Sequence, residues 1–171
     1  MSRLAQLIGF AALFGLAACG PSSTTAPGAP QPSSSAAAPE APASPTPSGP
    51  TPEQIAAALA TLPAPYNTGD VDNGHAKFAL CMACHTAVAG APNMTGPNLH
   101  GLFGRTAGTA PGYSYSDAMK NAGWIWDAPH LDTWLSGPAK TLPGTKMTFA
   151  GLPNPKDRVD VIAYLKVATS N

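Results

Sequence analysis

Apolar residues are spread along this chain in three different ways. From Leu4 to Ala18 they are continuous apart from Gln6, preceded by Arg3 and closed by Leu16-Ala17-Ala18-Cys19. These fifteen residues fall short of the about 20 that a helix needs to cross the hydrocarbon core of a bilayer. A basic start, a short apolar run and small residues before a cleavage point predict a secretory signal over 1–18. From Gly20 to Thr51 the chain is almost all Pro, Ala, Ser, Thr and Gly, and Glu40 is its only charge. Nothing there can be buried to offset the entropy of ordering, so 19–51 is predicted to be Cys19 followed by a disordered linker. Thr51-Pro52-Glu53-Gln54 then matches a capping box with proline at the first helical position. It predicts a short helix from Glu53 to Ala60, stopped by Pro63 and Pro65, within a connecting segment 52–65.

The third pattern fills 66–171. Asn154-Pro155-Lys156-Asp157 is a helix start, and Val159, Ile162, Ala163 and Lys166 with Val161, Leu165 and Ala168 place apolar side chains on much of the helix that follows. Asp72 to Ala83, Ser116 to Asn121 and Asp127 to Leu135 are shorter candidates, the last bounded by Pro129 and by Gly137-Pro138. No alternation of apolar and polar residues is long enough for a strand, and isoleucine occurs in this part only at 125 and 162. The predicted fold class is therefore all-α. Thr86 to Tyr113 shows no periodicity, and a structureless loop above about 20 residues argues against a compact domain unless it has a task. Ten of the seventeen glycines lie between Gly90 and Gly151. That composition suits backbone wrapped closely around a bulky ligand that fills the core.

Composition sharpens the picture at three points. Ten of the twenty prolines lie between Pro21 and Pro52, which leaves only the remainder to be globular. The linker spans on the order of 30 Å as a coil and up to roughly 100 Å if its prolines hold it extended. Nine Lys+Arg balance nine Asp+Glu, so there is no electrostatic footprint for nucleic acid. Three cysteines are an odd count, which excludes a disulfide framework using all of them within one chain.

Cys81-Met82-Ala83-Cys84-His85 carries the chemistry. Two cysteines three apart, followed at once by histidine, are the attachment signature of c-type haem. On a helical turn the two sulfurs project from one side and can add to two vinyl groups of one porphyrin edge, while His85 places a nitrogen on the iron. A thioredoxin-like dithiol would need a preceding strand and a βαβ context. A zinc half-site would need a second ligand pair, but no second CxxC exists and His75, His100 and His130 are scattered. Six-coordinate iron also needs a ligand opposite His85, either methionine or histidine. For Met82, Met94 and Met119 the plainer expectation is packing. Met147 lies in the stiff loop Leu142-Pro143-Gly144-Thr145-Lys146-Met147 between two predicted helices, 62 residues beyond His85, and is the favoured ligand.

From Gly69 onward the chain resembles a class I cytochrome c of the mitochondrial and bacterial c2 type. The resemblance rests on CMACH, on Thr95-Gly96-Pro97-Asn98-Leu99-His100-Gly101-Leu102-Phe103-Gly104-Arg105, and on Ala110-Pro111-Gly112-Tyr113-Ser114-Tyr115. The PGTKM loop with Phe149-Ala150-Gly151, and Ile162-Ala163-Tyr164-Leu165, complete it. The residues ending in Cys19 resemble the lipobox of bacterial lipoproteins, and the whole layout is similar to membrane-anchored bacterial cytochromes c. The resemblance implies one covalent haem c with its iron between His85 and Met147. It also implies a Pro97 carbonyl that orients His85, haem propionates met by Arg105, Tyr115, Trp126 and Thr145, and first and last helices that cross with Gly74 and Phe78 against Ile162 to Leu165.

The function it implies is a monomeric one-electron carrier, not an enzyme. It would be held on the periplasmic side of a bacterial membrane by lipid on Cys19 or by an uncleaved N-terminal anchor. Its electrons would pass from a bc1-type quinol-cytochrome c reductase to a cytochrome oxidase or photosynthetic reaction centre. The alternative is a haem peroxidase or gas sensor with a displaceable distal ligand. Three departures stand out: Trp134 where the family commonly has tyrosine, Met119 where it has asparagine, and only Lys77, Lys140 and Lys146 near the haem edge in place of a lysine ring. Weak long-range steering of partners is expected.

Overall fold

The computed structural model describes residues 49–170, so the predicted signal, Cys19 and nearly all of the linker lie outside the described residues. Among the described residues there are six helices: α1 Pro52–Ala60, α2 Val71–Met82, α3 Asp117–Lys120, α4 Ala128–Ser136, α5 Pro138–Thr141 and α6 Pro155–Ala168, with a 3-10 turn at Tyr66–Thr68. Among the described residues there is no strand, only an isolated antiparallel bridge between Thr106 and Ile125. The fold is all-α, as its hydrophobic pattern predicts.

Caps set the helix starts. The Thr51 hydroxyl accepts from Gln54 N–H at 3.3 Å and Gln54 Oε1 accepts from Thr51 N–H at 2.7 Å, closing the capping box. Asp70, Ser116, Asp127 and Asn154 each accept a backbone N–H at the start of α2, α3, α4 and α6. Asp70 takes the cap of α2, which is why that helix begins at Val71, one residue before its predicted start. α5 is not foreshadowed in the hydrophobic pattern. Gly137 breaks α4 in extended backbone, and Pro138 then opens a single turn too short to show periodicity.

α2 crosses α6, and α1 and the 3-10 turn also lie on α6. The crossing depends on glycine at two points. A Cβ on Gly74 would overlap the Asp160 carbonyl and come within 2.8 Å of Tyr164 Cβ, and one on Gly69 would sit 2.6 Å from Ala163 Cβ. Phe78 packs on Tyr164 with ring centroids 5.2 Å apart, so Gly74 and Phe78 meet the expected stretch of α6. α6 is buried nearly all round, through Val161, Ile162, Ala163, Leu165 and Val167. Asp160 is buried beside them and accepts hydrogen bonds from Asp70 N–H at 2.9 Å, Asn73 Nδ2 at 2.6 Å and Lys156 Nζ at 2.6 Å. One carboxylate thus pins the first turn of α2 to α6. Leu62 and Tyr66, from the connecting segment and the 3-10 turn, are buried in the same core as Phe78 and Trp134.

Side-chain amides do the work of secondary structure in the long loop. Asn98 donates to the Val88 and Ala91 carbonyls at 2.8 and 2.7 Å and accepts from His100 N–H at 2.8 Å. Asn93 accepts from Asn98 N–H at 2.8 Å and donates to Pro111 O at 2.9 Å. Satisfied backbone lets 86–113 follow an irregular path around the centre of the domain.

Candidate cofactor site

α2 ends in the site. Cys84 and His85 donate their backbone N–H groups to Cys81 O at 3.0 and 2.9 Å, so the turn after the helix brings both thiols and the imidazole to one wall of a cavity of about 360 Å³. That volume lies in the range of small-molecule sites, about 300–1,000 Å³. α2, α3, α4 and α6 supply apolar walls, among them Phe78, Met119, Trp134, Leu135, Val161 and Leu165. The cavity therefore occupies the place where a core would otherwise close.

His85 is held in one orientation. Its Nδ1 lies 2.8 Å from Pro97 O; a carbonyl only accepts, so Nδ1 carries the proton and Nε2 keeps its lone pair. Burial holds the imidazole below its ordinary pKa against the opposing pull of that hydrogen bond, which favours the neutral ring a metal requires. Gly96 donates to Cys84 O at 2.8 Å and lies flat on the imidazole, where any Cβ would overlap the ring. The Cys81 thiol is pushed up to about 11, first by burial and then by the neighbouring Cys84.

The loop after α5 forms another wall. Met147 lines the cavity, and its N–H donates to Thr145 Oγ1 at 3.2 Å, while Lys146 Nζ donates to Ser114 O at 2.8 Å. Met119 lines the cavity as well, among apolar side chains of the core, whereas Met82 and Met94 are about half exposed, at 48 % each, and lie outside it.

Arg105, Tyr115, Trp126 and Thr145 all line the cavity. Arg105 donates to His100 O at 3.0 Å and Asn98 O at 3.3 Å, and burial lowers its pKa. Tyr115 packs edge-on against Tyr113, whose hydroxyl donates to Thr95 O at 2.7 Å. Every site residue singled out in the sequence is thus gathered around one cavity, except Cys19, which lies outside the described residues. Sequence reasoning missed the part of Gly96 against His85 and of Tyr113 in tying two loops together. Both residues stand within the motifs already quoted.

The donor set fits a haem. Two thiols and an imidazole share one wall, a thioether stands on another loop, and the only charged lining side chains are the cations Arg105 and Lys146, with no carboxylate. Such a cavity suits a large apolar disc that brings its own acidic groups. Among the described residues no group of three or more His, Cys, Asp or Glu side chains able to hold a metal ion occurs and no strand precedes the cysteines.

Trp134 and Met119 both face the cavity. Trp134 packs against Trp126 with centroids 5.6 Å apart, and Trp124 packs on Trp126 at 5.7 Å and on His130 at 6.0 Å. Among the described residues no helix is long and apolar enough to cross a membrane.

Residues 71–169 match the family model described as Cytochrome c. The cytochrome c of Kluyveromyces lactis is 47 % identical over 105 residues, 61 % of this chain and 96 % of that protein. The cytochrome c2 of Rhodoblastus acidophilus is 50 % identical over 97 residues, 57 % of this chain and 91 % of that protein. Among solved structures, cytochrome cH from Methylobacterium extorquens is similar with a TM-score of 0.54 and 47 % identity, over 57 % of this chain and 98 % of that one.

Proposed function

Because this chain belongs to the cytochrome c family, as a class I c-type cytochrome with covalent haem c that carries electrons, we propose that it is a membrane-tethered carrier between a quinol-cytochrome c reductase and a terminal oxidase or photosynthetic reaction centre. The haem, when bound, supplies an iron that gains and loses one electron. Cys81 and Cys84 would hold it through thioether bonds, His85 Nε2 and the Met147 sulfur would bind its iron, and Arg105, Tyr115, Trp126 and Thr145 would meet its propionates. The observation that carries this reading is the His85 to Pro97 hydrogen bond of 2.8 Å inside a cavity shared by both thiols and Met147. A carbonyl that accepts from the far nitrogen of the ring fixes its orientation and raises its basicity.

The protein's own contribution is rigidity and dryness. Apolar side chains from four helices exclude water from the electron's site, and Thr145 and Lys146 each fasten the Met147 loop by a hydrogen bond. With His85 and Met147 both given to the iron, the bound group would keep no open position for a substrate. The haem peroxidase and gas-sensor reading is not favoured, since the relatives are carriers.

Lipid on Cys19 and the proline-rich linker would hold the monomer at the periplasmic face of a bacterial membrane, an uncleaved N-terminal anchor being the alternative. Such a tether supplies an effective concentration on the order of mM at the membrane. In the oxidised full-length protein a weak red charge-transfer band from sulfur bound to iron is expected. It should vanish in Met147→Ala, and a band that survived would remove Met147 from the iron. Mass spectrometry of the intact membrane form checks lipid, cleavage and haem addition together.

A further inference from the structure

Trp124, Trp126 and Trp134 form one cluster of indoles. Ring centroids are 5.7 Å apart for 124 and 126, 5.6 Å for 126 and 134, and 6.5 Å for 124 and 134, the spacing of aromatic rings in contact. The first two flank Ile125, which is bridged to Thr106 and 52 % exposed; side chains alternate along such a stretch, so the two indoles share a side. Trp126 N–H donates to Arg105 O and Ala107 N–H to Trp124 O, both at 2.9 Å, which holds the pair in place. Trp134 comes from α4. Trp126 and Trp134 are buried and line the cavity, whereas Trp124 is partly exposed, lies outside the lining and has the exposed His130 imidazole stacked on it. The cluster therefore runs from the cavity to the surface. Its outer member carries an anomaly: Trp124 Nε1 is the one buried side-chain nitrogen or oxygen among the described residues with no hydrogen-bond partner. An indole nitrogen can only donate, and a buried donor left unsatisfied is costly enough to call for a reason.

Redox chemistry supplies one. An indole that has lost an electron becomes strongly acidic at Nε1. Given an acceptor it sheds that proton and turns into a neutral radical, a weaker oxidant that holds the oxidising equivalent where it is. With no acceptor at Trp124 Nε1 the proton stays, and the radical cation keeps its power to draw an electron from the ring it touches. Electron transfer weakens steeply with distance, so short steps between touching rings outrun one long step. Tyr113 and Tyr115 also pack together at the cavity, with centroids 4.7 Å apart. A phenol, however, must give up its proton when oxidised, and the Tyr113 hydroxyl donates to a carbonyl, Thr95 O, which is no base for it. Resting on the carrier reading above, we propose that Trp124 is a second electron port, through which a dissolved one-electron oxidant, an oxidising radical at the surface, is disarmed by way of Trp126 and Trp134. The oxidant gains one electron and Trp124 loses it. Trp124 regains one from Trp126 or Trp134, whose loss is made good from the reduced group held in the cavity, and no indole proton moves. The net change is one oxidant reduced and one carrier oxidised, which the carrier's own donor reverses.

The test uses full-length holoprotein in detergent micelles and pulse radiolysis of a bromide solution, which delivers dibromide radical anions, oxidants of accessible tryptophan. In the ferrous wild type the absorption of the tryptophan radical cation should appear after the pulse and decay as the ferric spectrum grows. In the ferric protein the same radical should live longer, having no electron to draw on, and peptide mass spectrometry should then find the oxidised tryptophan at position 124. Trp124→Phe keeps a ring between Trp126 and His130 and should have the wild-type spectrum before the pulse, but lose both the radical and the delayed growth of ferric protein that follows it. A delayed phase retained in Trp124→Phe overturns the port while leaving the carrier reading intact. Should that variant fail to fold, the wild type decides alone: the band of the deprotonated neutral radical, a radical lifetime equal in the two oxidation states, or oxidation found on tyrosine and not on Trp124 overturns it as well. A protein whose absorption is the same under ascorbate and under ferricyanide overturns the carrier reading and the port together.

Discussion

Asp160 offers the sharpest test of how this domain is held together, because one carboxylate joins the two helices that come from opposite ends of it. Its side chain is 2 % exposed and accepts Asp70 N–H at 2.9 Å on one oxygen, and Asn73 Nδ2 and Lys156 Nζ at 2.6 Å on the other. Burial alone would push its pKa up, but those hydrogen bonds outweigh it and hold the carboxyl below its ordinary range. Asp160→Asn keeps the shape and leaves one oxygen to accept. If that oxygen stays on Asp70, the new amide faces the donors of Asn73 and Lys156. The exposed ammonium swings into water at little cost, whereas Asn73 loses a bond to a charged acceptor, about 1.5–3 kcal/mol, and the Asp70 bond weakens to a neutral one. The expected loss is about 2–4 kcal/mol, close to what breaking a buried pair costs.

Because the folded-state pKa is depressed, this contribution is complete above the unfolded carboxyl range of about 4 and disappears as pH falls through the folded-state value. Guanidinium unfolding of the ferric full-length holoprotein, followed by tryptophan emission and the Soret band, should therefore show the gap between wild type and Asp160→Asn near neutral pH and a narrower gap in acid. A difference under about 0.5 kcal/mol at neutral pH, or one that stays constant into acid, would refute the reasoning.

Three other outcomes are expected. Gly96→Ala drives a methyl into the His85 ring, so the yield of holoprotein should fall and the surviving protein should unfold at lower denaturant, read from the Soret band; a normal yield with a wild-type midpoint would contradict the packing. Met119→Asn puts a polar amide into a buried, apolar stretch of the cavity wall and should lower stability by about 1–3 kcal/mol, so a raised midpoint of chemical denaturation would reverse the account of that residue. Cutting the linker between the predicted Cys19 anchor and α1 should slow electron transfer to membrane partners by removing the effective concentration that tethering provides, and an unchanged rate in native membranes would show that the tether is not used for delivery.

Much of the site was legible because its residues are bound by short spacings. Cys81, Cys84 and His85 need one turn of helix, and the stiff Pro143-Gly144 loop singles out Met147. The caps at Thr51, Asp127 and Asn154 are local too, and they fixed three helix starts to within a residue. What escaped was non-local or too short to be periodic. Asp160 is one of several charged residues along α6 and nothing local sets it apart from them, since its partner Asp70 is 90 positions away. α5 is one turn. Asn93 and Asn98 look like ordinary loop residues until the carbonyls they satisfy, up to 18 positions off, come within reach. Gly96 shows its purpose only once an imidazole lies across it.

The pairing of α2 with α6 also says something about how the molecule comes into being. α2 carries Cys81 and leads into the turn with Cys84 and His85, and the helix it must lean on, α6, is made more than 70 residues later. A nascent chain therefore cannot settle α2 until α6 has been made. A stop before Pro155 would leave the attachment sequence whole and remove the surface on which α2 comes to rest. The defect would then surface as degradation of the polypeptide, with the thioether chemistry itself unimpaired.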